Sequence, residues 1–266
     1  WMAVLSMGFW LLHPYLVSTT LYVVQRMAQL AALFVFSGLA GYLHGRRLLS
    51  ARPWRGYVWM SVSVVAGTAL AAFSKENGVL LPILVLVVEY CLPPGQQNAR
   101  PDWRWRALFL WLPAMAVCYQ LGREIRFSPD PWPTRPFTQV ERLWSEARIL
   151  WEYLWHLFVP RIEGRGLFHD GYAISHGWLQ PATTLTGGVG IVVVLAGAVW
   201  LRRRLPLVSL AILFFFAAHL LESTVVGLEL YFEHRNYVAS AFLFLPVVAG
   251  ILSLMGKTSV SMVAVL

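Results

Sequence analysis

Apolar residues run along this chain in long blocks separated by short polar connectors. The blocks cover about 2–12, 20–43, 57–73, 79–91, 107–121, 185–201, 207–221 and 238–254. A straight membrane-crossing helix needs about 20 apolar residues. The pattern therefore predicts an all-α, polytopic transmembrane helix bundle of about eight spans. The shorter blocks must be completed by polar residues or be tucked inside the bundle. One stretch has a different pattern. Over 140–159, Leu143, Ile149, Leu150, Tyr153, Leu154 and Leu157 recur at helical spacing and are interrupted by Arg142, Glu146, Arg148 and Glu152. That spacing predicts an amphipathic helix lying on the membrane, with a re-entrant helix as the alternative.

The charged residues orient the blocks. Three connectors are basic: Arg46, Arg47, Arg52 and Arg55, then Arg100, Arg104 and Arg106, then Arg202, Arg203 and Arg204, with Asp102 the one acid among them. Assigning all three to the cytoplasm gives an alternation of spans with none left over. The opposite side then receives 12–19, 74–78, 122–183 and 223–237, and eleven of the thirteen acidic residues lie in or beside these stretches. This divides the chain into transmembrane helices over 1–121, an outer-face loop carrying the amphipathic helix over 122–183, and further transmembrane helices over 184–266.

Composition agrees with the membrane reading. The chain has 266 residues, 58% of them hydrophobic and 13% charged, and a mean hydropathy of +0.60. A soluble domain of this length could not hide so much apolar surface. Many of the thirteen Trp residues fall near expected helix ends, where the indole favours the headgroup level. The formal charge of +8 is accounted for by connector arginines, so no nucleic-acid partner is expected. Cys91 and Cys118 fall at or within apolar segments and read as small buried hydrophobes. Both ends of the chain fall inside apolar runs, and no signal peptide is visible; the sequence is expected to be part of a longer membrane protein.

Three polar motifs interrupt the apolar pattern. The first is Leu12-His13-Pro14, followed by Tyr22-Val23-Val24-Gln25-Arg26. An Arg within an apolar helix is costly unless it faces a cavity or an anion, which suggests phosphate binding by Arg26 with Gln25 and His13 nearby; an outward-snorkelling Arg is the plainer alternative. The second is the turn Phe73-Ser74-Lys75-Glu76-Asn77-Gly78, in which Lys75 could face a phosphate and Glu76 a sugar hydroxyl or a positioning Arg, or both could simply close an interfacial loop. The third is Glu229-Leu230-Tyr231-Phe232-Glu233-His234-Arg235-Asn236-Tyr237. A carboxylate beside a His can move protons, and an Arg fork suits phosphate; otherwise the group anchors the chain at the interface. Phe168-His169-Asp170, after Arg161, Glu163 and Arg165, and His176 before Trp178 read as a solvated loop. His219 and Glu222 read as partners within the bundle. No Gly-rich phosphate loop or Cys/His zinc spacing occurs, and Gly187-Gly188-Val189-Gly190 reads as close helix packing.

Taken in order, LHP, YVVQR, SKENG-V-LLP and FEHRNY resemble the GT-C superfamily of membrane glycosyltransferases. The nearest members are the bacterial polytopic transferases that often carry tetratricopeptide repeats and the transmembrane O-mannosyltransferases. The resemblance runs from about His13 to Tyr237. Thr19 and Thr20 depart from it where related chains often carry an acid, as does Val238-Ala239-Ser240 after the Tyr. It implies a polyprenyl-phosphate-linked sugar donor, a protein or glycan acceptor, and a periplasmic active face on the bacterial cytoplasmic membrane. Carried over, Arg26, Lys75 and Arg235 would bind the donor phosphate, His13, Gln25 and Tyr237 would line the donor pocket, and Glu76, Glu233 and His234 would be the catalytic candidates. The main base is expected upstream of Trp1. No cofactor is specified, and a divalent metal is left open.

Two other readings stand beside this one. An O-antigen ligase or polymerase would also use lipid-linked donors and would show a large outer loop with paired arginines. A transporter or a non-catalytic scaffold subunit would show internal repeats and charges at the bilayer centre.

Overall fold

Prolines and polar turns decide where the apolar blocks stop being helical. The computed structural model describes residues 1–92, 100–133, 135–160 and 171–256. Helix α1 (Met2–Leu11) ends at His13-Pro14, where Pro14 opens a short 3-10 turn and the His13 ring nitrogen Nδ1 accepts the Tyr15 N–H at 3.2 Å. The imidazole thereby takes the place of a helix-capping side chain, and Pro14 occupies the first-turn position where its missing N–H costs nothing. α2 (Val17–Leu21) leads through a second 3-10 turn (Val23–Gln25) to α3 (Arg26–Leu48), which forms an antiparallel hairpin with α4 (Pro53–Ser74). A third 3-10 turn (Glu76–Leu80) precedes α5 (Leu81–Cys91).

α6 (Trp103–Arg106) runs into a π-turn (Ala107–Trp111) and then α7 (Leu112–Arg123). Pro113 lacks an N–H and would clash with the carbonyl four residues back, so a widened turn just before it relieves both problems. α8 (Gln139–Phe158) starts with a capping box between Thr138 and Glu141. α9 (Thr183–Leu201), α10 (Pro206–Ala218), α11 (Asn236–Ala239) and α12 (Phe244–Leu254) complete the bundle. α10 lies at its centre, packed against α5, α9, α11 and α12.

The fold is all-α and contains helices fit to cross a membrane, but not eight of them. Among the described residues three are long and apolar enough, Val23–Leu48, Pro53–Ser74 and Thr183–Leu201. The number rises to five if each of two bent pairs counts as one span: Met2–Leu11 with Pro14–Leu21, bent by 52°, and Glu233–Ala239 with Phe244–Leu254, bent by 59°. The expectation of about eight spans is therefore corrected. The other apolar blocks form helices that are too short: α5 has 11 residues, α7 has 12 and α10 has 13. At about 1.5 Å per residue these cover roughly 20 Å or less of a ~30 Å hydrocarbon layer. Apolar character shows that a segment avoids water. It does not show whether lipid or protein receives it.

α8 is amphipathic, but not in the way its leucines suggest. Its buried face carries Gln139, Arg142, Ser145 and Glu146 together with Ile149, Leu150, Tyr153 and Leu157, whereas Trp155 and Phe158 are exposed. The helix turns polar groups inward, toward the chain after α10. On its flank it meets α9, where Trp151 Nε1 donates to the Gly187 carbonyl at 2.9 Å and a Cβ on Gly187 would stand 2.8 Å from the Ala147 oxygen. Gly187 and Gly190 thus do serve close packing, while Gly188 faces open space.

Candidate functional site

The Lys75 turn is set by the end of α4. Lys75 N–H still bonds the Ala71 carbonyl at 2.9 Å, and the backbone then leaves the helix in an extended conformation. Gly78 folds back over the same turn of α4, so close to the Ala71 and Ala72 backbone that a Cβ would have no room. This geometry directs Lys75 inward, and its ammonium lies 2.5 Å from Glu222 Oε1, with both side chains almost fully buried. Asn77 Nδ2 donates to the other Glu222 oxygen at 3.2 Å. Glu76, the next residue, is exposed.

Between α10 and the 233–235 turn the chain has no regular helix, so its carbonyls need partners from elsewhere. Side chains supply them. Arg142 donates to the carbonyls of Glu222 and Leu228 at 2.5 Å, Glu229 at 2.9 Å and Thr224 at 3.0 Å. Gln139 donates to Val225, Arg135 to Gly227, and Arg235 to Glu229 and Leu230. The Glu146 carboxylate lies between two of these cations, 3.1 Å from Arg142 and 3.3 Å from Arg235. Burial pulls the Arg142 guanidinium down to about 10, with Glu146 acting in the opposite direction; it stays charged at neutral pH. At the outer edge Arg135 pairs with Glu229 at 2.6 Å. Partial burial raises the Glu229 carboxyl, but its own backbone N–H and Arg135 outweigh this and hold it below the usual carboxylate range.

The His13 corner meets the third motif. Tyr15 and Tyr231 share a hydrogen bond between hydroxyls at 2.7 Å, and the Tyr153 hydroxyl accepts the Phe232 N–H at 2.9 Å. Trp10 Nε1 donates to the Tyr237 carbonyl at 2.9 Å, and the two rings sit 4.8 Å apart. His13 stacks on Phe244 at 5.3 Å. Among the described residues it is the one titratable group in the wall of an apolar groove of about 720 Å³ between α1, α12 and the end of α8. Glu233 is buried, and half-buried His234 packs on Phe232 at 5.0 Å. His234 lies within electrostatic range of Lys75, Glu222 and Arg235, and Tyr15 within that of Glu233.

The fold thus gathers His13, Lys75, Glu233, His234, Arg235 and Tyr237 at one end of the bundle. α4 and α10 each run there from an arginine-bearing connector. Arg26 opens α3 at that end but is exposed and, among the described residues, makes no side-chain hydrogen bond or ion pair. Gln25 is buried with Oε1 unpartnered among the described residues. Arg161, Glu163, Arg165, Phe168, His169 and Asp170 lie outside the described residues. His176 is exposed and contacts Glu141 at 2.6 Å. Among the described residues no group of three or more His, Cys, Asp or Glu is placed to hold a metal.

Sequence reading paired Glu222 with its helix neighbour His219 and took Arg142 and Glu146 as breaks in a surface helix. The available signal was the four-residue spacing of an Arg and a Glu on the same face as Ile149 and Tyr153. Comparison of the chain with protein-family models, with curated proteins and with solved structures gives no match.

Proposed function

We propose that this chain is part of a membrane glycosyltransferase that moves a sugar from a polyprenyl-phosphate donor to a protein or glycan acceptor, on the periplasmic face of a bacterial cytoplasmic membrane. One observation carries the reading. Three motifs far apart in sequence, around His13, Lys75 and Glu233–Arg235, come together at the end of the bundle away from the arginine connectors. A donor site needs such a place, where positive charge, proton-handling groups and apolar wall meet.

In the proposed reaction the acceptor hydroxyl loses its proton and its oxygen attacks the anomeric carbon. The bond from that carbon to the phosphate oxygen breaks, and the lipid phosphate leaves with the electron pair. Phosphate is a fair leaving group, so stabilising its developing charge supplies most of the catalysis. Arg26, exposed and without an ion pair among the described residues, is the group freest to reach it. Lys75 is assigned the same role through exchange of its Glu222 contact. Arg235 contributes its field and holds the turn that presents Glu233 and His234. His234 is assigned to take the acceptor's proton, and Glu76 and Glu233 to position the groups around it.

The test is sugar transfer from a polyprenyl-phosphate sugar in membranes containing the intact protein. Arg26→Ala, and Lys75→Met combined with Glu222→Leu so that no buried charge is left alone, are each expected to lose transfer while the protein remains inserted and folded. Full activity in both variants overturns the reading. It would favour a non-catalytic subunit, for which the closed pairing of Lys75 with Glu222 and of Arg235 with Glu146 is sufficient as scaffold.

A further inference from the structure

The opposite end of the bundle contains a second unusual feature. An open groove of about 590 Å³ lies between α5, the π-turn, α9 and α10. Its walls are apolar, formed by residues such as Val87, Val199 and Phe216, and three arginines border it, Arg100, Arg106 and Arg202. Among the described residues the one acid in the wall is Glu89, which is already engaged: Arg46 contacts it at 2.7 Å and the Tyr42 hydroxyl donates to it at 2.6 Å.

Among the described residues none of the three arginines forms an ion pair with a carboxylate. Arg106 Nε is buried with no hydrogen-bond partner among the described residues. Arg202 lies over the Tyr90 ring at 4.1 Å and has a single 3.3 Å bond to the Tyr90 carbonyl. The connector 93–99 adds no acidic residue. Cationic groups beside hydrocarbon are costly unless an anion or water compensates them, and basic pockets between membrane helices are suited to anionic headgroups.

We propose that this groove binds one anionic phospholipid of the surrounding leaflet, its phosphate held by Arg100, Arg106 and Arg202 and an acyl chain lying along the apolar wall. The combination of charge and apolar length selects a lipid over a free anion. The three arginines lie at the other end of the bundle from Lys75, so the proposal stands or falls independently of the transferase reading.

The experiment is thermal unfolding of the purified full chain in neutral detergent, titrated with phosphatidylglycerol, phosphatidylcholine or inorganic phosphate. Phosphatidylglycerol is expected to raise the midpoint saturably, and the other two to leave it unchanged. Each arginine near a headgroup contributes a modest electrostatic increment, so Arg100→Ala should weaken the apparent affinity about 5-fold and Arg100→Ala with Arg202→Ala roughly 30-fold. Arg55→Ala with Arg203→Ala, which removes two exposed charges outside the groove, should match the unsubstituted chain. If the double variant does not fold, the single Arg100→Ala, at an exposed position, gives the reading. Equal stabilisation by phosphatidylcholine or by phosphate alone overturns the proposal. So does unchanged phosphatidylglycerol affinity in Arg100→Ala.

Discussion

The Lys75 ammonium and the Glu222 carboxylate meet at 2.5 Å across 147 residues of sequence, with side-chain exposures of only 4% and 2%. The contact ties the end of α4 to the end of α10 and fixes where the 75–78 turn and the 222–235 segment sit relative to each other. Because both charges are out of water, neither tolerates losing its partner.

Glu222→Gln should therefore destabilise the protein by about 3–5 kcal/mol, the usual consequence of leaving one buried charge alone. Replacing both, as Lys75→Met with Glu222→Leu, should cost clearly less than the sum of the single changes. Chemical unfolding in detergent, arranged as a double-mutant cycle, measures this. Additive single effects would mean that the pair is not coupled.

Arg142 donates to four backbone carbonyls between Glu222 and Glu229. Removing it strands several acceptors at once, each worth about 1–3 kcal/mol when buried. Arg142→Ala should expose the 222–235 segment to limited proteolysis, and Arg142→Lys should restore little, since a single ammonium cannot span the same carbonyls. Wild-type resistance in Arg142→Ala would show that the clamp is dispensable.

Gly78→Ala places a methyl group against the Ala71 backbone. Backbone cannot move aside as a flexible side chain can, so the turn must shift and Lys75 with it. The expected loss is about 1–3 kcal/mol, read as a lower unfolding midpoint. In the Glu222→Gln background the same change should cost less, because the contact it disturbs is already broken.

The Arg135–Glu229 pair gives a pH signature. Glu229 is held below its ordinary value in the folded state, so its contribution is complete above the unfolded-state value of about 4.3 and fades as pH falls through the lower folded value. Glu229→Gln should thus reduce stability near neutrality and cost nothing in strong acid. The side chain is 44% exposed, so solvent screening keeps the difference under about 1 kcal/mol. Unfolding midpoints of both proteins from pH 7 down to 3 test the sign; a gap that widens in acid would contradict it.

Much of the architecture could be read directly from the chain because its causes are local. Apolar blocks mark helices that avoid water, and Leu12-His13-Pro14 marks an interruption between two of them. The polar character of 75–78 and 229–237 stands out for the same reason: charged residues beside apolar helices are rare and costly. The sequence by itself therefore determined an all-α chain with helices fit for a membrane, and it singled out several polar residues that the fold brings to one end of the bundle.

Tertiary structure decided the rest. Whether an apolar block crosses lipid or is buried in protein depends on its neighbours, which is why eight blocks yield three to five candidate spans. Whether Arg142 faces water or four carbonyls depends on an irregular segment some 80 residues away. Lys75 can find Glu222 only once α4 and α10 are packed into one bundle. Hydropathy is a property of each residue, whereas the satisfaction of a buried charge or carbonyl belongs to a pair, and the fold alone chooses the partner.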